Sequence, residues 1–453
     1  VRQPILKTIV AITRTGSGSS RWFPGLSLFL LIPFVFATPA LTIGQLTKIA
    51  IQNNNDLKAA QYNIALAKAR LVQAGLWPNP SLNLADIDDR WLTHEGEYTR
   101  SGSFSQAFPV SGRISKQKDV ARIDIAIALA EVRNAKRQLK GMVADYYYAI
   151  LITDRRLKQL KTLLAINKKL VQVTQNRFQA AEVSELDTNT ASLEFQRIRQ
   201  EKQLLENLRI SQTTQLNQLL GREATAPVVL DQTLPLKAHL PPTLSEIQAL
   251  AIKQRPDMQM LWFNVNRAKA NQQLARSERW ADWLIGIGVQ QNKLVVQGAP
   301  PQIADRAVSI GVTIPLPLLN SNQGRIMEAG LAGTQALKKI QALQLTIQTE
   351  IVSSYTQLKT LQDAIKLAQM NTVKLTARNV TLARNAYKNG QISLLEVLQI
   401  QRQQNDLQTA YLNMLEKYVQ ALVQFCTSIG HGDNALCPYL TNKRNLYAFT
   451  RHS

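Results

Sequence analysis

Cysteine, histidine and acidic residues are scarce in this 453-residue chain, and two long stretches have no proline. Cys426 and Cys437 are the only cysteines, and their spacing suits one small disulfide in an exported protein or two free thiols. The four histidines, His94, His239, His431 and His452, do not share a helix face with further ligand residues at metal-binding spacing. No metal site and no cofactor are therefore expected. There is no nucleophile–base–acid triad, phosphate-binding glycine loop or paired-carboxylate pattern, so the chain does not read as an enzyme. Past residue 40 no run of 18 or more apolar residues occurs, which excludes a transmembrane helix there. Acid is short: 31 Asp and Glu stand against 53 Lys and Arg. The basic residues are scattered, and the densest group, Arg133 to Lys140, falls in a helical pattern without aromatic or glycine-rich recognition elements beside it. That argues against nucleic acid as a partner. It leaves solvated helix faces, or attraction to anionic headgroups or an acidic protein.

Residues 1–40 have the order of a signal peptide: Arg14 and Arg21, then the apolar run Leu26 to Ala37, then small residues at Ala37 and Ala40. A mature start near Thr38 or Leu41 is expected. No cysteine follows the apolar run, so no lipid anchor is expected.

The chain then repeats itself. Leu46 to Leu57 (LTKIAIQNNNDL) matches Ile247 to Met258 (IQALAIKQRPDM), and Asn176 to Asp187 (NRFQAAEVSELD) matches Asn385 to Glu396 (NAYKNGQISLLE). Both copies close on a similar pair, Leu220-Gly221 and Ile429-Gly430. A period near 200 residues is far longer than the ~20–50 residues of a solenoid unit, so two half-molecules are joined in tandem. The division runs 41–232 for the first repeat and 233–430 for the second, with a tail over 431–453.

Each repeat contains a proline-free run, from Pro109 to Pro227 and from Pro317 to Pro438, rich in strong helix formers. Leu157, Leu160, Leu164, Asn167, Val171, Thr174 and Phe178 keep a 3-4 spacing; so do Leu358, Leu361, Ile365, Ala368, Leu375 and Leu382. Each run breaks once, at Gln179 to Ser184 and at Lys388 to Ser393. There Gly390 suits a left-handed helix end, and Ser184 and Ser393 suit the cap of the following helix. Two long helical hairpins result, over about 113–220 and 324–429, the first helix reaching roughly 100 Å at ~1.5 Å per residue.

Ahead of each hairpin the period changes to two. Trp283, Ile285, Ile287 and Val289 alternate with small or polar residues, as do Val308, Ile310, Val312 and Ile314. Leu82, Leu84, Phe104 and Phe108 repeat this more weakly in the first half. Strands over about 80–110 and 281–315, apolar on one face and small-polar on the other, fit lipid on one side and water on the other. An ordinary sheet covered by helices in a soluble protein is the competing reading. Four strands cannot close a membrane barrel of at least ~8, and an open edge in lipid is costly, so a membrane sheet requires several chains around a ring.

These features resemble the TolC-type outer-membrane efflux family. The resemblance rests on the strand exits Phe108-Pro109-Val110-Ser111-Gly112-Arg113 and Ile314-Pro315-Leu316 to Gly324-Arg325, with the tips RFQAAEVSELD and AYKNGQISLLEVL. It covers roughly Leu41 to Gly430. The Trp77-Pro78-Asn79-Pro80 strand entry is most similar to the CzcC-like, heavy-metal branch. The resemblance implies a mostly α fold with membrane β-strands: a homotrimer with a 12-stranded barrel continuous with a periplasmic α-helical tunnel. It implies a passive, gated conduit across the outer membrane, working with a periplasmic adaptor and an inner-membrane pump of the resistance–nodulation–division (RND) type, with metal cations as one cargo. It places the adaptor at the tips, Ala181, Glu182, Val183 and Ser184 with Gly390, Gln391, Ile392 and Ser393. It places a pore constriction at Glu396, with Asp187 as its repeat partner and Gln399 where the family often carries a second acid. As acids in a first helical turn, Glu396 and Asp187 also suit simple helix capping. Two other readings stay open: a conduit for type I protein secretion, and an exported soluble coiled-coil scaffold.

Overall fold

The computed structural model describes residues 40–89, 96–236, 243–296, 298–368 and 373–430. Residues 1–39 of the expected signal region, all four histidines, Cys437 and the 431–453 tail lie outside the described residues. The first repeat comprises α1 (Ile43–Asn53), α2 (Asn55–Ala74), β1 (Ser81–Asp88), β2 (Tyr98–Phe108), α3 (Arg113–Gln179) and α4 (Glu185–Leu219). The second comprises α5 (Leu244–Gln254), α6 (Pro256–Ser277), β3 (Trp283–Lys293), β4 (Asp305–Thr313), α7 (Gln323–Leu367), α8 (Val373–Lys388) and α9 (Leu394–Ile429). The element order is thus repeated, and two helices rather than one lead into each strand pair.

The strands form one antiparallel sheet in the order β1-β2-β3-β4. Beyond it the helices keep that order. α2 packs on α3, α3 on α6 and α6 on α7. Further along, α3 lies between α4 and α9, and α9 packs on α7 and α8. The 67-residue α3, about 100 Å long, runs through both levels. β1, α2 and α4 form one margin of this array, and β4, α7 and α8 the other.

In the second hairpin α7 carries a wider π-type turn at Ala368, and α8 is described from Val373. The expected seam residues before that turn, Leu358 and Ile365, are buried, but Leu375 and Leu382 beyond it are exposed. Val380, Ala383 and Tyr387 are buried in their place. Two heptads on from Ile365 is position 379, so the buried stripe has moved by one residue. The wider turn at Ala368 takes up one extra residue and shifts a stripe in this way, and a heptad count cannot foresee it. In the first hairpin the stripe holds through Leu157, Leu160, Asn167 and Thr174, while Phe178 at its end is exposed.

The pseudo-symmetry extends to the helix ends. Asn54, between α1 and α2, accepts from Leu57 N at 2.8 Å, and its Nδ2 donates to Leu219 O at 3.0 Å, near the end of α4. The equivalent residue, Arg255 between α5 and α6, donates to Ser428 O near the end of α9. Gly221 and Gly430 follow these helices at φ 63° and 79°, and a Cβ on either would strike Asn53 or Arg255 at 2.5–2.8 Å. Here the second repeat adds charge. Arg255 pairs with Asp257 at 2.7 Å and Glu350 at 2.6 Å, and Arg137 of α3 lies 3.5 Å from Asp257 while donating to Thr427 O at 2.8 Å. Burial alone would raise the Asp257 pKa. Hydrogen bonds from Arg255 and the charges of both arginines outweigh it and hold this carboxyl below the usual range. Cys426, in the last turn of α9, is buried and disulfide-bonded rather than a free thiol.

Candidate functional site

The sheet carries its chemistry in rows. The register sets Leu82, Phe104, Ile287 and Ile310 side by side, and next to them Leu84, Gly102, Val289 and Val308. Ile285 and Val312 form the neighbouring row, and Phe108 opposite Trp283 ends the band. Ile314 follows the end of β4 and extends the same apolar line. Trp283, Ile285, Ile287, Val289, Val308, Ile310, Val312 and Ile314 are all exposed in the single chain. Trp283 to Val289 spans six residue steps of β3, about 20 Å at ~3.4 Å per step. Past Val289 this face turns polar, with Arg100 paired to Asp86 at 3.3 Å and stacked 4.8 Å over Tyr98. Aromatic residues therefore flank the band on both sides, since Trp77 meets Phe108 edge-on at the other end, 5.9 Å between centroids.

The opposite face presents Ser81, Ser103, Ser105, Gly286, Gly288 and Ser309. A Cβ built on Gly288 would lie 3.2 Å from the Ser103 Cβ, well inside the ~4.5–5.5 Å usual across paired strands. The strands therefore approach closely on this side, where glycine and serine leave the room for it. Neither β1 nor β4 has a partner on its outer edge among the described residues.

At the far end, each tip closes with the same motif. Ala181 N and Glu182 N donate to Phe178 O and Arg177 O, as Gly390 N and Gln391 N donate to Tyr387 O and Ala386 O. Gly390 adopts φ 71°, and Ala181, its equivalent, adopts φ 59° despite its Cβ. Ser184 and Ser393 each cap the next helix in a reciprocal box with Asp187 and Glu396. Glu396 Oε2 accepts from Ser393 N at 2.7 Å and from its hydroxyl at 3.0 Å, which lowers the Glu396 pKa. Glu396 and Gln399 are exposed, and Asp187 is half-buried.

The two tips are joined by their own small core of Leu170, Ala191, Tyr387, Leu394, Val397 and Leu398, separate from the main one. Ile392 turns inward onto it, whereas Ala181, Glu182, Ser184, Gly390, Gln391 and Ser393 stay exposed and Val183 is half-buried. Arg177 links the tips: it pairs with Glu182 at 2.9 Å, donates to Tyr387 O at 3.2 Å and lies 5.0 Å over the Tyr387 ring. Behind it, buried Glu194 of α4 is shared by Arg197 at 2.7 Å and Arg402 of α9 at 2.8 Å. The link residues Arg177, Tyr387, Glu194 and Arg402 were not singled out in the sequence, because their contacts lie more than 200 residues apart in the chain.

Among the described residues no group of three or more His, Cys, Asp or Glu could hold a metal ion, and no helix is long and apolar enough to cross a membrane.

The chain matches the family model described as outer membrane efflux protein over residues 46–222 and 248–431, one match in each repeat. It is 22% identical over 413 residues to the cobalt-zinc-cadmium resistance protein CzcC of Cupriavidus metallidurans, covering 88% of this chain and 91% of that protein. It is 25% identical to the pyoverdine export outer membrane protein OpmQ of Pseudomonas putida, covering 89% and 88%. Among solved structures, CusC superposes with a TM-score of 0.70 at 18% identity, over 86% of this chain and 92% of that one. With a family match in each repeat and the fold in agreement, this chain belongs to the outer membrane efflux protein family of TolC-type channels, which sit in the outer membrane with their helices in the periplasm and are not enzymes.

Proposed function

We propose that three copies of this chain close into one channel, the outer-membrane conduit of a tripartite efflux system. The observation that carries this reading is the pair of open margins. Among the described residues β1 and β4 each leave one edge unpaired, and an unpaired backbone group in lipid costs several kcal/mol. The helical margins are bare in the same way, with Leu186, Leu193, Leu204 and Ile210 exposed on α4 and Leu331, Leu337, Leu345 and Val352 on α7. A head-to-tail ring pairs one margin with the other and repeats until it closes. Three copies give twelve strands. The apolar rows then face lipid and the serine and glycine face lines a wet lumen.

The tips form the periplasmic entrance, and the exposed tip residues receive a periplasmic adaptor that couples the channel to an inner-membrane RND pump. Opening requires the second hairpin to move from the first, against the Arg177–Tyr387 contact and the shared tip core. Glu396 is the constriction acid. Its bonds to Ser393 keep it ionised while leaving it exposed, so three copies present a ring of negative charge that favours cations. Divalent metal cations are the cargo this reading favours, supported by the similarity to a protein named for cobalt, zinc and cadmium resistance.

Native mass in mild detergent tests the assembly; a monomer with its sheet intact would refute it. Single-channel recording tests the ring: Glu396→Gln is expected to reduce cation preference without changing trimer stability. Unchanged selectivity would leave Glu396 a capping residue alone. Cross-linking through Gln391→Cys tests docking, and an adaptor that cross-links only elsewhere on the hairpins would refute it.

A further inference from the structure

Each repeat has one entry, where a helix passes into a strand, and one exit, where a strand passes into a long helix. Inside the chain the first exit lies beside the second entry. They are clasped by a half-buried ion pair between Arg113, which opens α3, and Asp282, which precedes β3, with Nε to Oδ1 at 2.7 Å. The other two connections, the second exit over 314–322 and the first entry over 75–80, stand at opposite edges of the sheet. Both lie at the level where strand meets helix, and both present bare apolar side chains. Leu318 and Leu319 are 83% and 95% exposed, the latter the most exposed large apolar side chain among the described residues. Leu76 and Trp77 are exposed at the first entry.

The ion pair cannot recur between these two. The residues matching Arg113 and Asp282 are Arg325, already bound to Glu278 of its own chain at 2.6 Å, and the neutral Asn79. The second exit is instead longer, nine residues between β4 and α7 against four between β2 and α3. It is also braced. Asn322 sits at φ 60° with its Nδ2 on Ala275 O at 2.7 Å, and Leu318 N turns back onto Leu316 O at 2.9 Å. The leucines are thus held outward on a fixed base.

We propose that the 314–322 loop of one copy clasps Leu76 and Trp77 of the next copy, an apolar seal at each inter-chain junction of strand and helix. The contact inside the chain is its template, with apolar burial in place of charge. This inference rests on the head-to-tail ring proposed above.

The test is a cysteine pair, Leu319→Cys with Leu76→Cys, in the full-length protein in outer-membrane vesicles under mild oxidation. Covalent dimers and trimers are expected from the pair and from neither single variant. Native mass of the same protein separates the two readings. A trimer that never cross-links overturns the clasp and leaves the ring standing, whereas a monomer overturns both. A Leu319→Trp variant reconstituted with brominated phospholipid is expected to show little quenching. Strong quenching would put the loop in lipid and overturn the clasp.

Discussion

Replacing Asp257 by Asn removes the charge that holds two buried guanidiniums together. Arg255 is 5% exposed and Arg137 10%. The Asp257 carboxylate takes Arg255 in a fork, Nε to Oδ1 at 3.1 Å and Nη2 to Oδ2 at 2.7 Å, and also accepts from Met258 N. After the change only Glu350 remains to balance both arginines, and it is about a third exposed and correspondingly screened. Removing one partner of a buried pair costs about 3–5 kcal/mol. Asn keeps one acceptor and Glu350 keeps its bond, so about 3 kcal/mol is expected. The duplication supplies a control. Asp56 occupies the matching place in α2 but is exposed and only favours the helix N-terminus, so Asp56→Asn should cost under about 1 kcal/mol. The assay is denaturant unfolding in detergent followed by far-ultraviolet circular dichroism. The pH dependence has a definite sign. The folded pKa of Asp257 is depressed, so its stabilisation is fully present above the unfolded value near ~3.9 and is lost as pH falls through the folded value. The gap between wild type and Asp257→Asn should hold from pH 8 to 5 and narrow below about pH 4. Equal midpoints for Asp257→Asn and Asp56→Asn would refute the reasoning.

The tips offer a matched pair: Gly390→Ala places a Cβ at φ 71° and should destabilise by about 1–2 kcal/mol, while Ala181→Gly relieves φ 59° and should stabilise by up to about 1 kcal/mol in the same unfolding assay. Ile287→Arg or Ile310→Arg should cost about 2–4 kcal/mol in lipid-based refolding, whereas tolerance of both would return the sheet to a soluble reading. Arg177→Ala removes the bridge to Glu182 and Tyr387 and should raise the open probability of the channel in planar bilayers, with no change in the mass of the assembly.

The duplicated order of elements was legible because each signal is local. Heptad spacing, proline-free runs, alternation in Trp283 to Val289, and the Ser–acid spacing after each tip all act over a few residues. Residue type sets the backbone preference within that range. The same locality explains why the first helix of the first hairpin was foreseen from Arg113 to within a residue of its end at Gln179. It also explains the failure beyond Ile365. A heptad count presumes a constant period, and the one-residue shift toward Val380, Ala383 and Tyr387 depends on how α8 meets its neighbours. Ala181 adopting a glycine-like conformation was equally hidden, since a Schellman turn held by Arg177 O and Phe178 O offsets the cost of its Cβ.

The sequence by itself determined the tandem halves, the order of strand pair and long helical hairpin within each, the apolar rows of the strands and the caps at the tips. Tertiary structure alone decided which residues meet across the chain. Asp257 is an ordinary first-turn acid until folding sets Arg255 and Arg137 around it, and Arg177 is a surface base until α8 carries Tyr387 beneath it. It also decided that the small face of the sheet is closely packed and that, among the described residues, β1 and β4 each keep an unpaired edge. Hydrogen-bond registry and side-chain packing act between segments hundreds of residues apart, and no local pattern records which segments will face each other.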